Sequence, residues 1–131
     1  MTTRLAATAF LARDYDEAIA WFRDALGWVL LEDSDQGGGK RWVRVAPNAA
    51  AETCFLIARA VGDQVAAIGQ HAGGRVGYFL HTDDFAAQQA RMQAAGVHFE
   101  EPPRHEPYGT VAVFRDLYGN RWDLIEPRPA G

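Results

Sequence analysis

The chain has a single cysteine, Cys54, among 131 residues, so no disulfide can form within it. A reducing, cytoplasmic setting is the expectation that follows. No run of about 18 apolar residues occurs, and no membrane span is expected. Basic residues are too few and too scattered for a nucleic-acid footprint: Lys and Arg number 13 against 17 Asp and Glu, the net charge is -4, and no basic cluster exceeds Lys40-Arg41. The opening Met1-Thr2-Thr3-Arg4-Leu5 leads straight into a strand and lacks a signal-peptide pattern. Neither His-x-x-x-His nor Glu-x-x-His spacing is present. Gly37-Gly38-Gly39 is no phosphate loop, because no Gly-Lys-Ser/Thr follows it and no helix opens there. It reads as a hairpin tip.

What is present is a normal apolar fraction, 48%, enough for one compact domain or two small modules sharing a core. The most informative stretch is Phe114–Pro127, a strand, a tight turn at Gly119-Asn120, and a second strand. Asp123 sits in that second strand between apolar neighbours. A carboxylate there is costly unless something pairs with it. It fits a metal ligand, an acid/base group or a structural ion-pair partner, with Arg44 and Arg115 as candidate counter-ions.

A weak internal repeat organises the rest. Residues 5–12 read as a strand and 14–26 as a helix, with Tyr15, Ala18, Ile19, Phe22, Ala25 and Leu26 on one face. Asp14 with Glu17 resembles a capping box, and Gly27 supplies the stop. Strands follow at 28–32, 41–45 and 53–59. The second copy has a strand at 75–82, a helix capped by Asp83 or Asp84 and ended by Gly96, and strands at 97–100, 110–115 and 121–126. Each half is βαβββ. The expected class is α+β: one domain over 1–131, of two modules, about 4–59 and 75–127, joined by a linker at 60–74 with a short helix near 63–68. Neither half can bury both faces of its sheet alone, so the modules are expected to form a curved mixed sheet around a central cavity, with helices outside.

This pattern resembles the vicinal oxygen chelate superfamily, which includes glyoxalase I, extradiol dioxygenases and the bleomycin- and fosfomycin-resistance proteins. The resemblance rests on Arg13-Asp14-Tyr15-Asp16-Glu17-Ala18-Ile19-Ala20-Trp21-Phe22, on Leu26-Gly27 and on the Asp116–Pro127 hairpin, and it covers residues 4–128. It implies one metal ligand on each of four strands. Those positions here are Ala7, Cys54 or Phe55, Val76 or Gly77, and Asp123. Only Asp123 is a clear ligand, so no metal site and no cofactor is expected, and a divalent ion is disfavoured.

The resemblance also places Asp123 toward the cavity. Period-2 alternation puts Asp123 and Ile125 on one face of their strand, and Gly77, Phe79 and His81 on one face of theirs. Ala7, Ala9 and Leu11 share a face on the first strand. The expected ligand contacts are Asp123, His81, Phe79, Tyr108, Trp42 and Phe55. For each, a structural role stands beside the binding one: core packing for the aromatics, a hydrogen bond for His81. The expected function is metal-free binding of a small organic molecule, as in bleomycin-resistance-like sequestration. The alternative is a lyase, isomerase or dioxygenase of the glyoxalase type with a rearranged metal site. A homodimer is the expected assembly, with no nucleic-acid or membrane partner.

Overall fold

The computed structural model describes residues 1–129. The chain divides into two compact units, Met1–Ile68 and the chain from Gly69 onward. The boundary falls inside the expected linker, and a 3-10 turn occupies Gly62–Ala67.

In the first unit the order is β1 (Ala7–Ala12), α1 (Tyr15–Trp21), a wide π turn (Phe22–Leu26), β2 (Val29–Gly37), β3 (Lys40–Ala46) and β4 (Cys54–Arg59). The Asp14 side chain accepts from the Glu17 amide at 2.8 Å, which satisfies one of the orphan N–H groups at the start of α1. The helix is not α throughout, as 14–26 alone suggests. Its last turn widens, the Trp28 amide reaching the Phe22 carbonyl at 3.0 Å, and Phe22, Ala25 and Leu26 all stay buried. The sheet order is β1-β4-β3-β2, with β1 parallel to β4 and the other pairs antiparallel. Phe10, Phe22, Trp28 and Phe55 form an aromatic core between the sheet and α1, with centroids 5.0–5.7 Å apart.

The second unit repeats this plan: β5 (Val76–His81), α2 (Phe85–Ala94), β6 (Arg104–Glu106), β7 (Gly109–Arg115) and β8 (Arg121–Pro127), in sheet order β5-β8-β7-β6. Asp84 rather than Asp83 caps α2, accepting from the Ala87 amide at 3.0 Å. The Glu126 carboxylate accepts from the Phe85 amide at 2.8 Å and places negative charge at the positive end of the helix. Phe85, Met92, Phe114, Trp122 and Leu124 are buried.

The expected strand at 97–100 is corrected by the structure. Only Phe99 bridges β7 there, opposite Phe114, and the true edge strand is β6. Pro102 and Pro103 have no N–H to donate, so pairing along β7 breaks at them and resumes at Arg104. The paired modules and two mixed sheets make the fold α+β.

Gly109 is fixed by space. Its φ is +150°, and a Cβ there would lie 2.1 Å from the Glu126 carbonyl oxygen. Gly109→Ala is expected to cost more than about 2 kcal/mol, because backbone on the partner strand cannot move aside. Urea unfolding of the variant checks this; a loss below about 0.5 kcal/mol contradicts the packing at β7–β8.

Candidate functional site

On the C-terminal sheet, Trp122 and Leu124 are buried on the helix side, so the alternation puts Asp123 and Ile125 on the helix-free face. Register brings Asp123 opposite Phe79 on β5 and Val113 on β7, while Ile125 lies opposite His81 and Val111. Phe79 is 64% exposed, and His81 is exposed. An aromatic ring held in water next to a half-buried carboxylate is the most unusual arrangement on this unit. Covering such a ring is worth roughly 1.5–3 kcal/mol.

Asp123 has no ion-pair partner among the described residues, and its Oδ1 is buried without a hydrogen bond. Arg104 is the cation that acts most strongly on it, but Glu101 and Glu106 already hold that guanidinium, each at 2.9 Å. Burial pushes the Asp123 carboxyl above the usual carboxylate range; Arg104 and Arg121 act in the opposite sense and Glu101 reinforces the rise. The two counter-ions anticipated from sequence are engaged elsewhere, Arg44 with Glu32 at 2.9 Å and Arg115 with Glu100 at 3.1 Å. Of the roles open to Asp123, a structural ion pair is therefore removed.

Tyr108 lies in the Pro107-Tyr108 turn joining β6 to β7 and is 53% exposed; its carbonyl accepts from the Arg128 amide at 2.8 Å. In the first unit, Trp42 is 41% exposed on β3, opposite Ser34, on the face it shares with Arg44. Phe55 lies on the other side. It is only 7% exposed and stacks on Phe10, Phe22 and Trp28, so its ring is part of the core beneath α1.

The Glyoxalase/Bleomycin resistance protein/Dioxygenase superfamily model matches residues 4–124. The chain belongs to this superfamily. A protein of Shewanella frigidimarina (strain NCIMB 400), itself of uncharacterised function, is 48% identical over 120 residues, which cover 90% of this chain and 89% of that one. Among solved structures, UcmS2 is 30% identical, with a TM-score of 0.80 over 96% of this chain and 99% of its own. TnmS3, an antibiotic binding protein from Streptomyces sp. CB03234, is 28% identical, with a TM-score of 0.77 over 97% of this chain and 98% of its own.

The residues present do not fit the metal of the superfamily's metalloenzymes. In the first unit the two ligand positions are paired across the sheet as Ala7 opposite Cys54. Alanine has no donor, and the Cys54 thiol is buried with Arg44 Nη1 3.9 Å from its sulfur. In the second unit Gly77 offers no donor either. The space its side chain would take is filled by Ala72, whose Cβ lies 2.7 Å from where a Gly77 Cβ would stand. Among the described residues no three His, Cys, Asp or Glu side chains converge as a divalent ion requires.

Sequence reasoning missed Arg104 and Glu101. The Glu101 carboxylate accepts from both Arg104 Nε and the Val113 amide, at 2.9 and 3.2 Å. That Val113 lies opposite Asp123 brings this pair beside the carboxylate. Pro102-Pro103 was the one available signal, since it marks where the edge strand restarts.

Proposed function

We propose that this protein binds a small organic molecule without a metal, against the helix-free faces of its sheets, in the manner of a sequestering protein. The observation that carries this reading is the pairing of exposed Phe79 with Asp123, whose buried Oδ1 lacks a hydrogen bond. The ring offers an apolar platform. The carboxyl offers an acceptor that a ligand's ammonium or N–H can satisfy, and its soft χ2 lets the orphan oxygen turn outward. The ligand class that fits is a flat organic body bearing a cationic or N–H donor group. The antibiotic-binding relative supports the reading, as does the donor-poor set at Ala7, Cys54, Gly77 and Asp123. A metal-dependent lyase, isomerase or dioxygenase route does not fit these residues.

The test is calorimetric titration with 1-naphthylmethylamine, which combines a flat ring system with one ammonium. Phe79→Ala is expected to weaken binding about tenfold by removing the stacking surface. Equal affinity in the variant and the parent rules out Phe79 as the platform.

A further inference from the structure

We infer that the second unit carries a separate site for a small oxyanion, at the end of the β7–β8 hairpin, on residues other than those of the proposed organic site. A cavity of about 90 Å³ opens there, lined by residues 69–72, 74–75 and 77–78, by Arg115 and by residues 119–121. At roughly 30 Å³ per water in the liquid, it holds about three waters. That suits a phosphate, sulfate or carboxylate group and is too small for a drug-sized body, which needs at least about 300 Å³.

The charge lining this cavity is of one sign. Arg75, Arg115 and Arg121 all contribute to its wall, and none of the lining residues is Asp or Glu. Arg115 and Arg121 stand directly opposite each other across the hairpin. Like charges directly opposite in an antiparallel pair repel. A single carboxylate, Glu100, is shared between them, at 3.1 Å from Arg115 and 2.9 Å from Arg121. Arg75 is exposed and has no ion-pair partner among the described residues. Counted against Glu100 alone, the three guanidiniums leave two positive charges. Asp116 is close enough to act on His71 and Tyr78, and because its oxygens accept only neutral N–H groups its negative charge stays, lowering the excess around the cavity to about one positive charge.

Hydrogen bonds brace part of the wall. The His71 amide donates to Asn120 Oδ1 at 3.1 Å, and His71 Nδ1 lies 2.7 Å from the Tyr78 hydroxyl. Arg121 Nη1 donates to the Gly74 carbonyl at 3.2 Å, which fixes the guanidinium at the cavity edge. An anchored Arg121 guanidinium, with Arg115 and Arg75 on the same small concave space, suits the planar, multidentate way in which arginine binds oxyanions.

The experiment is an amide NMR titration of the whole protein with sodium phosphate at constant ionic strength, with sodium chloride as control and phenyl phosphate as a second probe. Saturable shifts are expected at residues 70–78 and 115–121, with Arg75→Ala and Arg115→Ala each weakening binding about tenfold. Arg75 is exposed, so its variant is expected to keep the fold. Tighter binding of phenyl phosphate than of inorganic phosphate identifies the group as part of a larger molecule; the reverse identifies the free ion. Shifts no larger than those in matched chloride, or affinities unchanged in both variants, overturn the site.

Discussion

Asp116→Ala is expected to cost about 3–5 kcal/mol of folding stability. The carboxylate is 6% exposed and accepts four hydrogen bonds. Its Oδ1 takes the Tyr118 and Asn120 amides at 2.9 and 3.1 Å, and its Oδ2 takes Asn120 Nδ2 and Trp122 Nε1, both at 3.0 Å. Alanine removes the acceptor of four donors, three of them in buried contacts. The loss spreads, because Asn120 is held by Asp116 and in turn receives the His71 amide. Asp116→Asn keeps one acceptor oxygen and turns an N–H₂ toward donors, so it is expected to lose about half as much. Urea unfolding followed by circular dichroism measures both variants. A loss below about 1 kcal/mol for alanine contradicts the brace.

Asp123→Asn is expected to act in the opposite direction on stability while damaging binding. Burial raises the Asp123 carboxyl above its usual range, so the folded state holds that proton more tightly than the unfolded chain. Stability from this group is therefore greatest at low pH and declines as pH rises through the raised folded value. Above that value the ionised, unpaired carboxylate opposes folding. Asparagine removes this opposition and is expected to gain about 1 kcal/mol near pH 7, after allowing for screening on a half-exposed sheet face, and nothing near pH 3. The same substitution is expected to lower affinity for 1-naphthylmethylamine about tenfold and to leave that for neutral 1-naphthylmethanol unchanged. Thermal unfolding across pH and paired titrations check the two halves. Unaltered stability at both pH values shows that Asp123 is neither desolvated nor unpaired.

The hairpin and the repeat were legible because both depend on local signals. Gly119-Asn120 marks the turn, and Asp14 and Gly27, with Asp84 and Gly96, bracket the two helices. Parity likewise separates Asp123 from Trp122 and Leu124 without any tertiary information. Less visible was what each polar group meets. Asp116 reads as an ordinary turn residue, and nothing local reveals that Trp122 Nε1 returns to it. Phe55 looked like a possible cavity wall because strand alternation does not say which side the helix covers. The pairing of β1 with β4 settles that, turning Phe55 toward Phe10. The environment of Asp123 depends on β6, whose position follows from where pairing resumes after Pro102-Pro103. Sequence periodicity carries no such register.

The most direct test of metal-free organic binding is one amide NMR experiment on the labelled protein, titrated in parallel with 1-naphthylmethylamine and with zinc chloride. The expected result is saturable amine-induced shifts along residues 79–81 and 123–125, with zinc producing no stoichiometric change there. Stoichiometric zinc binding that moves Asp123 and its neighbours, with no response to the amine, would contradict the proposed function.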